Sequence, residues 1–271
     1  AAVVVHDEGA TAGTDLAHEL LDTGEARRRF PWLAVQDGES VLWEPSCGVI
    51  HPENAIRAHL EGARAAGAEI VTGEPLTDWT ATADHVTVET PRARYSATAA
   101  IACLGAWAPA QLRLPLPIVP ERQVVAIHDA RGLPRHRNFV APCAEAECVY
   151  GLPEPGETFK VALHHGGRTG QPDSLLDTPT AEDLALIDRY VALRLPGLAG
   201  RRVQALTCLY SDTPDRHFIL DRHPEHANLV YGTGCNGRGF KFASVIGERL
   251  VKLARGEKAG LALFSRSRFK H

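Results

Sequence analysis

A short glycine-rich segment near the end of the sequence restricts the possible folds more than any other feature. It reads Gly232-Thr233-Gly234-Cys235-Asn236-Gly237. An apolar run at 229–231 precedes it, and the run that follows, at about 242–254, repeats apolar residues at the spacing of one helix face. This order predicts a strand, a glycine turn and a helix in succession, a unit typical of α/β folds.

The same segment matches the G-x-G-x-x-G pattern of dinucleotide-binding turns, which also requires a second strand and an acidic residue about twenty positions later. Glu257 lies at that distance, but no strand pattern surrounds it and the sequence is nearly finished. We therefore do not interpret the segment as that fingerprint. Exposed backbone N–H groups at a helix start still favour an electron-rich ligand, and the alternative is a plain strand-to-helix turn.

Strand and helix patterns alternate along the chain. Helices are predicted at 54–66, with Ile56, Leu60 and Ala63 on one face, at 181–195, with Thr180 as N-cap, and at 242–254, with Val245, Ile246, Leu250 and Leu253 inward. Strands are predicted at 1–5, 69–72, 85–90, 98–104 (buried), 124–127, 138–141, 148–151, 159–164, 203–210, 218–220 and 229–231. The four strands between 124 and 164 indicate an antiparallel layer.

Composition excludes several classes of protein. With 271 residues, the prior is roughly two domains. The net charge of −4 argues against a nucleic-acid or anionic-membrane surface, and no apolar stretch reaches the ~20 residues that a transmembrane helix needs. The cysteines are scattered, which argues against a disulfide framework or a zinc knuckle and fits a reducing, cytoplasmic setting. They are Cys47, Cys103, Cys143, Cys148, Cys208 and Cys235.

The sequence contains no methionine. Its first five residues form an apolar run that is typical of the interior of a strand. We expect that the sequence is incomplete at its front, where a cofactor-binding segment could lie, and that it omits residues elsewhere too.

Several segments together resemble one family, the monomeric sarcosine oxidase and N-methyltryptophan oxidase group of amine-oxidising flavoproteins. The resemblance covers nearly the whole chain in order, and the elements at 208–215 (C-x-Y-S-x-T-P-D) and 239–242 (GFKF) are specific to this branch. The matching segments are Glu44–Ile50 (EPSCGVI), 104–107 (LGAW), 122–124 (RQV), 150–153 (YGLP), 159–167 (FKVALHHGG), 207–221 (TCLYSDTPDRHFILD) and 237–242 (GRGFKF).

The resemblance implies an α/β fold with α+β character. One part is the remainder of an FAD-binding Rossmann-like domain, at 45–113 and 207–258. The other is a substrate domain with a large antiparallel or mixed sheet and flanking helices, at 1–44 and 114–206, and 259–271 forms a tail. Family members begin with a strand, G-x-G-x-x-G and helix unit that holds the ADP half of FAD, and residues 1–42 supply no such unit.

The activity implied by the resemblance is FAD-dependent oxidation of a secondary or N-methylated amino acid. The substrate would lose a hydride equivalent to the flavin, giving an imine that water hydrolyses, and O2 would be reduced to hydrogen peroxide. The partners are then a small amine and O2, without nucleic acid or membrane. The alternative is a non-catalytic flavoprotein-derived scaffold, or a subunit that receives its ADP-binding segment from another polypeptide.

The resemblance also assigns residue roles. It makes Cys208 the covalent tether of FAD, Lys160 the lysine beside the flavin that promotes oxygen reduction, and Lys241 a lysine near the substrate carboxylate and flavin. Judged from their local sequence alone, Cys208 would be a buried strand cysteine, Lys160 a surface lysine on an edge strand, and Lys241 part of an amphipathic pattern.

Tyr150 and His164 match positions that line the substrate cavity, although His164 could equally be a structural histidine. His165 is expected on the opposite strand face, and no metal site is expected at this pair. The remaining cofactor contacts implied by the resemblance are Gly105, Ala106, Trp107, Cys235, Asn236, Gly237, Arg238, Gly239 and Phe240, together with Lys241.

Two departures from the family pattern stand out. Arg238 occupies a position where the family usually has histidine, and the spacing between Tyr150 and Lys160 is one residue short. Both bear on the identity of the substrate, since one changes the charge and the other the shape of the proposed cavity.

Overall fold

The computed structural model of the chain describes residues 2–7, 17–133, 138–144, 146–258 and 262–269. Within them it has fourteen strands and five α-helices. The strands are β1 Ala2–Asp7, β2 Glu19–Leu21, β3 Glu39–Glu44, β4 Asp78–Ala81, β5 Val86–Glu89, β6 Arg94–Ala97, β7 Ala100–Ala102, β8 Val119–Asp129, β9 Asn138–Ala141, β10 Cys148–Glu154, β11 Thr158–His164, β12 Arg202–Asp212, β13 Ile219–Arg222 and β14 Leu229–Thr233. The helices are α1 Thr23–Arg29, α2 Pro52–Ala65, α3 Ala108–Gln111, α4 Ala181–Arg194 and α5 Ala243–Ala254.

The chain divides into two compact units, each built from separate stretches of sequence. The first comprises Ala1–His51, Arg122–Thr169 and Asp173–Cys208. The second comprises Pro52–Glu121, Gly170–Pro172 and Leu209–His271. The division into a substrate domain and an FAD-binding domain is a functional assignment, and it stays a prediction.

The first unit is built on an eight-stranded mixed sheet in the order β12-β8-β11-β10-β9-β1-β3-β2. Neighbours from β8 to β9 are antiparallel, as expected from the sequence between 124 and 164, whereas β1 runs parallel to β9. Every second residue of β10 and β11 is buried on one face, including Val149, Phe159 and Val161. These side chains belong to one core cluster with Ile187 and Val191 of α4.

Helix α4 has a well-defined beginning and a buried end. The Thr180 side chain accepts a hydrogen bond from the Asp183 N–H, and the Asp183 side chain accepts one from the Thr180 N–H, so both ends of a capping box are present. At the last turn, Arg194 forms two 2.7 Å hydrogen bonds with the Glu39 carboxylate of β3. Both residues are buried, and the pair therefore joins helix and sheet inside the core.

The second unit contains two three-stranded sheets, β13-β14-β7 and β4-β5-β6. Helix α5 packs on the first of them through Leu250 and Leu253, which cluster with Leu220 and Val230. Gly232 of β14 allows this packing, since a Cβ there would lie 2.9 Å from a methyl group of Leu250.

The structure confirms the α/β class with α+β character, the start of strand β1 and the positions of α4 and α5. Three expectations are wrong. Residues 69–72 form no strand, because no described strand lies beside them to satisfy their backbone hydrogen bonds, and Val71 is exposed. The strand expected to be buried at 98–104 is β7, whose Ile101 is 41% exposed. Val245 of α5 is exposed rather than inward, because the packed face of the helix follows Ile246, Leu250 and Leu253, to which Val245 does not belong.

Among the described residues, no helix combines the length and apolar character that crossing a bilayer requires.

Candidate functional site

The hairpin of β10 and β11 brings three of the predicted site residues to one face of the sheet. Directly opposite residues of antiparallel strands share a face, and the register pairs Tyr150 with Ala162 and Cys148 with His164. The Tyr150 and His164 rings consequently meet edge to face, with centroids 6.2 Å apart. Lys160 lies on the same side by strand alternation, opposite to the core-facing Phe159 and Val161.

Lys160 is held by an acidic neighbour on the facing strand. Its Nζ lies 3.0 Å from Oε1 of Glu154, and 21% of its side-chain surface is exposed. Strand β11 lies between β10 and β8 in the sheet, so the alternative of a surface lysine on an edge strand is wrong. The ammonium group is oriented by an ion pair on an internal strand.

Cys208 lies on β12, the strand beside β8, and its thiol is near enough to Lys160 for their charges to interact. Burial raises the pKa of the Cys208 thiol, and the Lys160 ammonium acts in the opposite direction. The first unit therefore places Tyr150, His164 and Lys160 on the side of the sheet that faces away from the core, and the Cys208 thiol lies near enough to Lys160 to interact with its charge.

The end of β11 differs from the expectation that His164 and His165 point to opposite faces. His165 has a φ of 63°, in the left-handed region, because the strand ends at His164. The two rings therefore lie on the same side, with centroids 4.2 Å apart. A side-chain oxygen of Glu147 lies 3.6 Å from Nε2 of His165, so a carboxylate accompanies the two imidazoles.

The segment after His165 is fixed against β8. A Cβ at Gly167 would lie 1.7 Å from the carbonyl oxygen of Arg122, so only glycine fits there. The Arg122 N–H donates to the Arg168 carbonyl at 2.8 Å. The Arg122 side chain is buried and pairs with Asp177 and with Asp183 of α4.

In the second unit, the glycine-rich turn after β14 is organised around a buried asparagine. Asn236 is fully buried, and its φ is 48°. Its side-chain oxygen accepts a 2.8 Å hydrogen bond from the Thr213 N–H, and its side-chain amide donates to the Gly234 carbonyl. The Cys235 N–H donates to the Ser211 hydroxyl at 3.0 Å. The Asn236 side chain thus stabilises the turn through buried hydrogen bonds to the Thr213 and Gly234 backbone.

Glycines in this turn allow close packing as well as unusual backbone angles. Gly237 has a φ of 67°, and a Cβ there would lie 2.3 Å from the ring of Tyr210. A Cβ at Gly239 would lie 2.7 Å from the Cys235 sulfur. The Thr233 hydroxyl donates to the Gly105 carbonyl at 2.8 Å, which joins the turn to the short 3-10 helix Gly105–Trp107 containing Ala106.

The residues that follow present positive charge. Arg238 has a buried Nε–H with no hydrogen-bond partner among the described residues. Phe240 and Phe242 are exposed, and the Lys241 ammonium lies 5.9 Å from the Phe242 ring centroid. A buried N–H without an acceptor is costly, and an electron-rich ligand would satisfy it.

Sequence reasoning missed Glu147 and Glu154, the two acidic partners in the first unit. Each lies on β10 or directly before it, across the hairpin from the residue that it contacts. Only the strand register could have revealed them. It also missed the structural role of Asn236, which the G-x-G-x-x-G pattern treats as a variable position.

Comparison with known proteins gives this geometry a family context. The model of the family described as "FAD dependent oxidoreductase" matches residues 5–253. The chain is 38% identical over 251 residues to monomeric sarcosine oxidase from Streptomyces avermitilis, covering 89% of this chain and 65% of that protein. It is 32% identical over 260 residues to N-methyl-L-tryptophan oxidase from Escherichia coli O139:H28, covering 93% of this chain and 69% of that protein.

Solved structures agree on the fold. Glycine oxidase from Geobacillus kaustophilus superposes with a TM-score of 0.82 at 20% identity, covering 95% of this chain and 68% of that one. NikD, an unusual amino acid oxidase, superposes with a TM-score of 0.81, covering 96% of this chain and 74% of that one. The chain thus spans about two thirds of its curated relatives, 65% of the Streptomyces enzyme. By the extent of these matches, the chain belongs to the FAD-dependent oxidoreductase family.

Proposed function

We propose that this chain carries the flavin-facing and substrate-facing residues of an FAD-dependent oxidase that converts a secondary or N-methylated amino acid to an imine. Its relatives named sarcosine oxidase and N-methyl-L-tryptophan oxidase support this class of substrate. The observation that carries the proposal is the Lys160 ammonium on the same side of the sheet as the Tyr150 and His164 rings, with the Cys208 thiol close enough to interact with its charge.

The described residues fit a flavin. The Arg238 Nε–H is a buried donor that lacks an acceptor among them, as expected of a position that faces a carbonyl-rich ring system. Glycines at 237 and 239 pack directly against the Tyr210 ring and the Cys235 side chain, which fixes the backbone of the turn at the start of the following helix. We infer that Cys235, Asn236, Gly237, Arg238, Gly239, Phe240 and Lys241, with Gly105, Ala106 and Trp107, hold the cofactor.

FAD, when bound, supplies the electron acceptor for the carbon–nitrogen bond of the substrate and passes the electrons to O2, which gives hydrogen peroxide. The chain supplies positioning and charge. The Lys160 ammonium stabilises the negative charge that develops as oxygen is reduced. The ion pair with Glu154 fixes the position of the ammonium.

Two sets of proposed site residues, one in each unit, have the chemistry that an amino-acid substrate needs. Arg238 and Lys241 are cations suited to the carboxylate of an amino acid. Tyr150 and His164 offer an aromatic surface to the N-alkyl group.

The free state of all six cysteines supports a reducing, cytoplasmic setting.

Cys208 is proposed as the covalent attachment point of FAD, and its substitution tests the proposal. The thiol must lose its proton to react, and Lys160 is the neighbour that favours the thiolate. Protein purified with FAD should retain yellow flavin after acid precipitation. In C208A the flavin should wash out with the acid supernatant.

The matched control is C143A, since Cys143 is another half-buried free thiol of the first unit. C143A should keep flavin in the precipitate. Flavin that stays attached in C208A would assign the tether to another residue. A folded, colourless protein that forms no hydrogen peroxide from N-methylated amino acids in the presence of FAD would contradict the oxidase assignment.

A further inference from the structure

We propose that Glu147, His164 and His165 form a binding site for a divalent transition-metal ion, represented by Zn²⁺. The ligand atoms of these three side chains all lie within 4.8 Å of one another. Nε2 of His165 lies 3.6 Å from Oε2 of Glu147. The site is separate from the proposed cofactor contacts and needs no flavin.

These distances suit a small ion. A metal bound about 2 Å from each ligand atom allows two such atoms to lie up to about 4 Å apart. The 3.6 Å pair already meets that condition. No separation exceeds 4.8 Å, so an adjustment of about 1 Å at most is needed. Glu147 has 54% of its side-chain surface exposed and can move toward the two rings.

The backbone holds the three residues in place before any metal binds. The Glu147 N–H donates to the His164 carbonyl at 2.9 Å, which continues the β10–β11 ladder by one step. His165 is buried, with a left-handed φ of 63°, and this angle turns its ring toward His164. Gly167, which tolerates no side chain against Arg122, fixes the chain directly afterwards. Such preorganisation lowers the ordering cost of binding.

The type of ligand selects the type of metal. Two imidazoles and one carboxylate favour Zn²⁺, Ni²⁺, Cu²⁺ or Fe²⁺ over Mg²⁺ and Ca²⁺, which prefer oxygen. Three protein ligands leave a coordination position for water. A bound ion would also engage His164, the residue proposed to line the substrate cavity, and would therefore reduce oxidase activity if the proposed function holds.

The test is a calorimetric titration of the full chain, free of any histidine tag, with Zn²⁺ alone. We expect one equivalent to bind, and E147Q or H165N should weaken binding by about tenfold or more, since each removes a ligand. Asparagine is chosen at position 165 because it tolerates the left-handed conformation. The visible absorption of bound Co²⁺ should appear in the wild-type chain and disappear in both variants.

The matched control is H226Q. His226 stacks on His223 with ring centroids 4.9 Å apart, so it tests whether any close histidine pair binds the ion. H226Q should titrate like the wild type. Absence of Zn²⁺ binding in the wild type, or unchanged binding in E147Q, would overturn the proposal, and far-UV circular dichroism would establish that E147Q is folded.

Activity gives a separate readout. If the oxidase assignment holds, Zn²⁺ should inhibit the wild type more strongly than E147Q. The calorimetric result stands whether or not the chain is an oxidase, so the two proposals can fail independently.

Discussion

Gly237 and Gly247 lie close in the sequence, but only Gly237 depends on the absence of a side chain. Gly237 has a left-handed φ of 67°, and a Cβ there would meet the Tyr210 ring at 2.3 Å. Gly247 lies within α5, and a Cβ there would meet nothing within 4 Å. The same substitution should therefore change stability in opposite directions at the two positions.

We expect G237A to lower the free energy of unfolding by about 1–3 kcal/mol, through backbone strain and the contact with Tyr210. G247A should raise it by about 0.5–1 kcal/mol, because alanine restricts the unfolded chain and favours helix. Urea unfolding of both variants measures the two changes. Equal effects of the two substitutions would contradict the packing of the glycine-rich turn.

Arg194 and Glu39 form a buried ion pair whose partners depend on each other. Burial acts to raise the pKa of Glu39, but hydrogen bonds from Arg194 and from the Gln36 N–H outweigh it and hold the pKa below the ordinary value. Removal of one partner leaves a buried charge without compensation.

R194M should destabilise the protein by about 3–5 kcal/mol, because it leaves the Glu39 carboxylate buried and unpaired. The double variant E39Q/R194M should recover part of that loss. Thermal and urea unfolding of the wild type, the single variant and the double variant give the comparison. A double variant less stable than R194M would show that the pair is not coupled in this way.

At the scale of the element, α4 depends on its capping box at Thr180. T180A should cost about 1 kcal/mol of stability, because the Asp183 N–H loses its acceptor. The control is T178A, since Thr178 contributes its backbone carbonyl, not its hydroxyl, to the bond from Arg122. Chemical denaturation should show T178A unchanged within error and T180A shifted, and equal shifts would argue against a role for the cap.

The elements that the sequence predicts well carry a local signal of their own. Helix α4 has its cap residue and its terminating proline, and β11 has apolar residues at every second position. Residues 69–72 also carry an apolar pattern, yet a strand requires a partner strand for its backbone hydrogen bonds. A local sequence pattern does not predict which strands pair. The same limit explains the burial error at β7, where half-exposure depends on what packs against the sheet.

In the candidate site too, local sequence patterns do not predict the contacts that a residue makes with other segments of the chain. Lys160 and Cys208 were found through the resemblance to a family, since nothing in their immediate sequence marks them. Glu154 and Glu147 were missed because their contacts cross the hairpin. The left-handed angle at His165 could not be foreseen from strand alternation, which assumes that the strand continues.

At the scale of the whole chain, acid stability depends on groups in both units. Burial holds the pKa of His128, in the first unit, and of His223, in the second, below the ordinary value of 6.5. A histidine whose pKa is lower in the folded state contributes stability that is present above pH 6.5 and is lost as the pH falls. Glu39 extends the loss to lower pH, below its ordinary pKa of 4.5.

We therefore expect the urea midpoint to fall steadily from about pH 7 to about pH 5, and further below that as carboxylates are protonated. Unfolding in the upper part of this range should take up protons, which calorimetry in buffers of different ionisation enthalpy detects. A midpoint independent of pH between these values would contradict the burial of the two histidines as neutral rings.

Helix α2 differs from the other four α-helices described, because none of its 14 residues is buried. Ile56, Leu60 and Ala63 share one face, as the sequence predicts, but Ile56 is 49% exposed. Among the described residues of this chain, none packs α2 into a core, so here the helix depends on its own backbone hydrogen bonds, and short helices without packing are marginal in water. In deuterium exchange, its amides should be replaced early, well before those of α4, whose Ile187 and Val191 are buried. Trypsin should likewise cut first at Arg57 and Arg64, since local opening exposes these bonds without unfolding of the core.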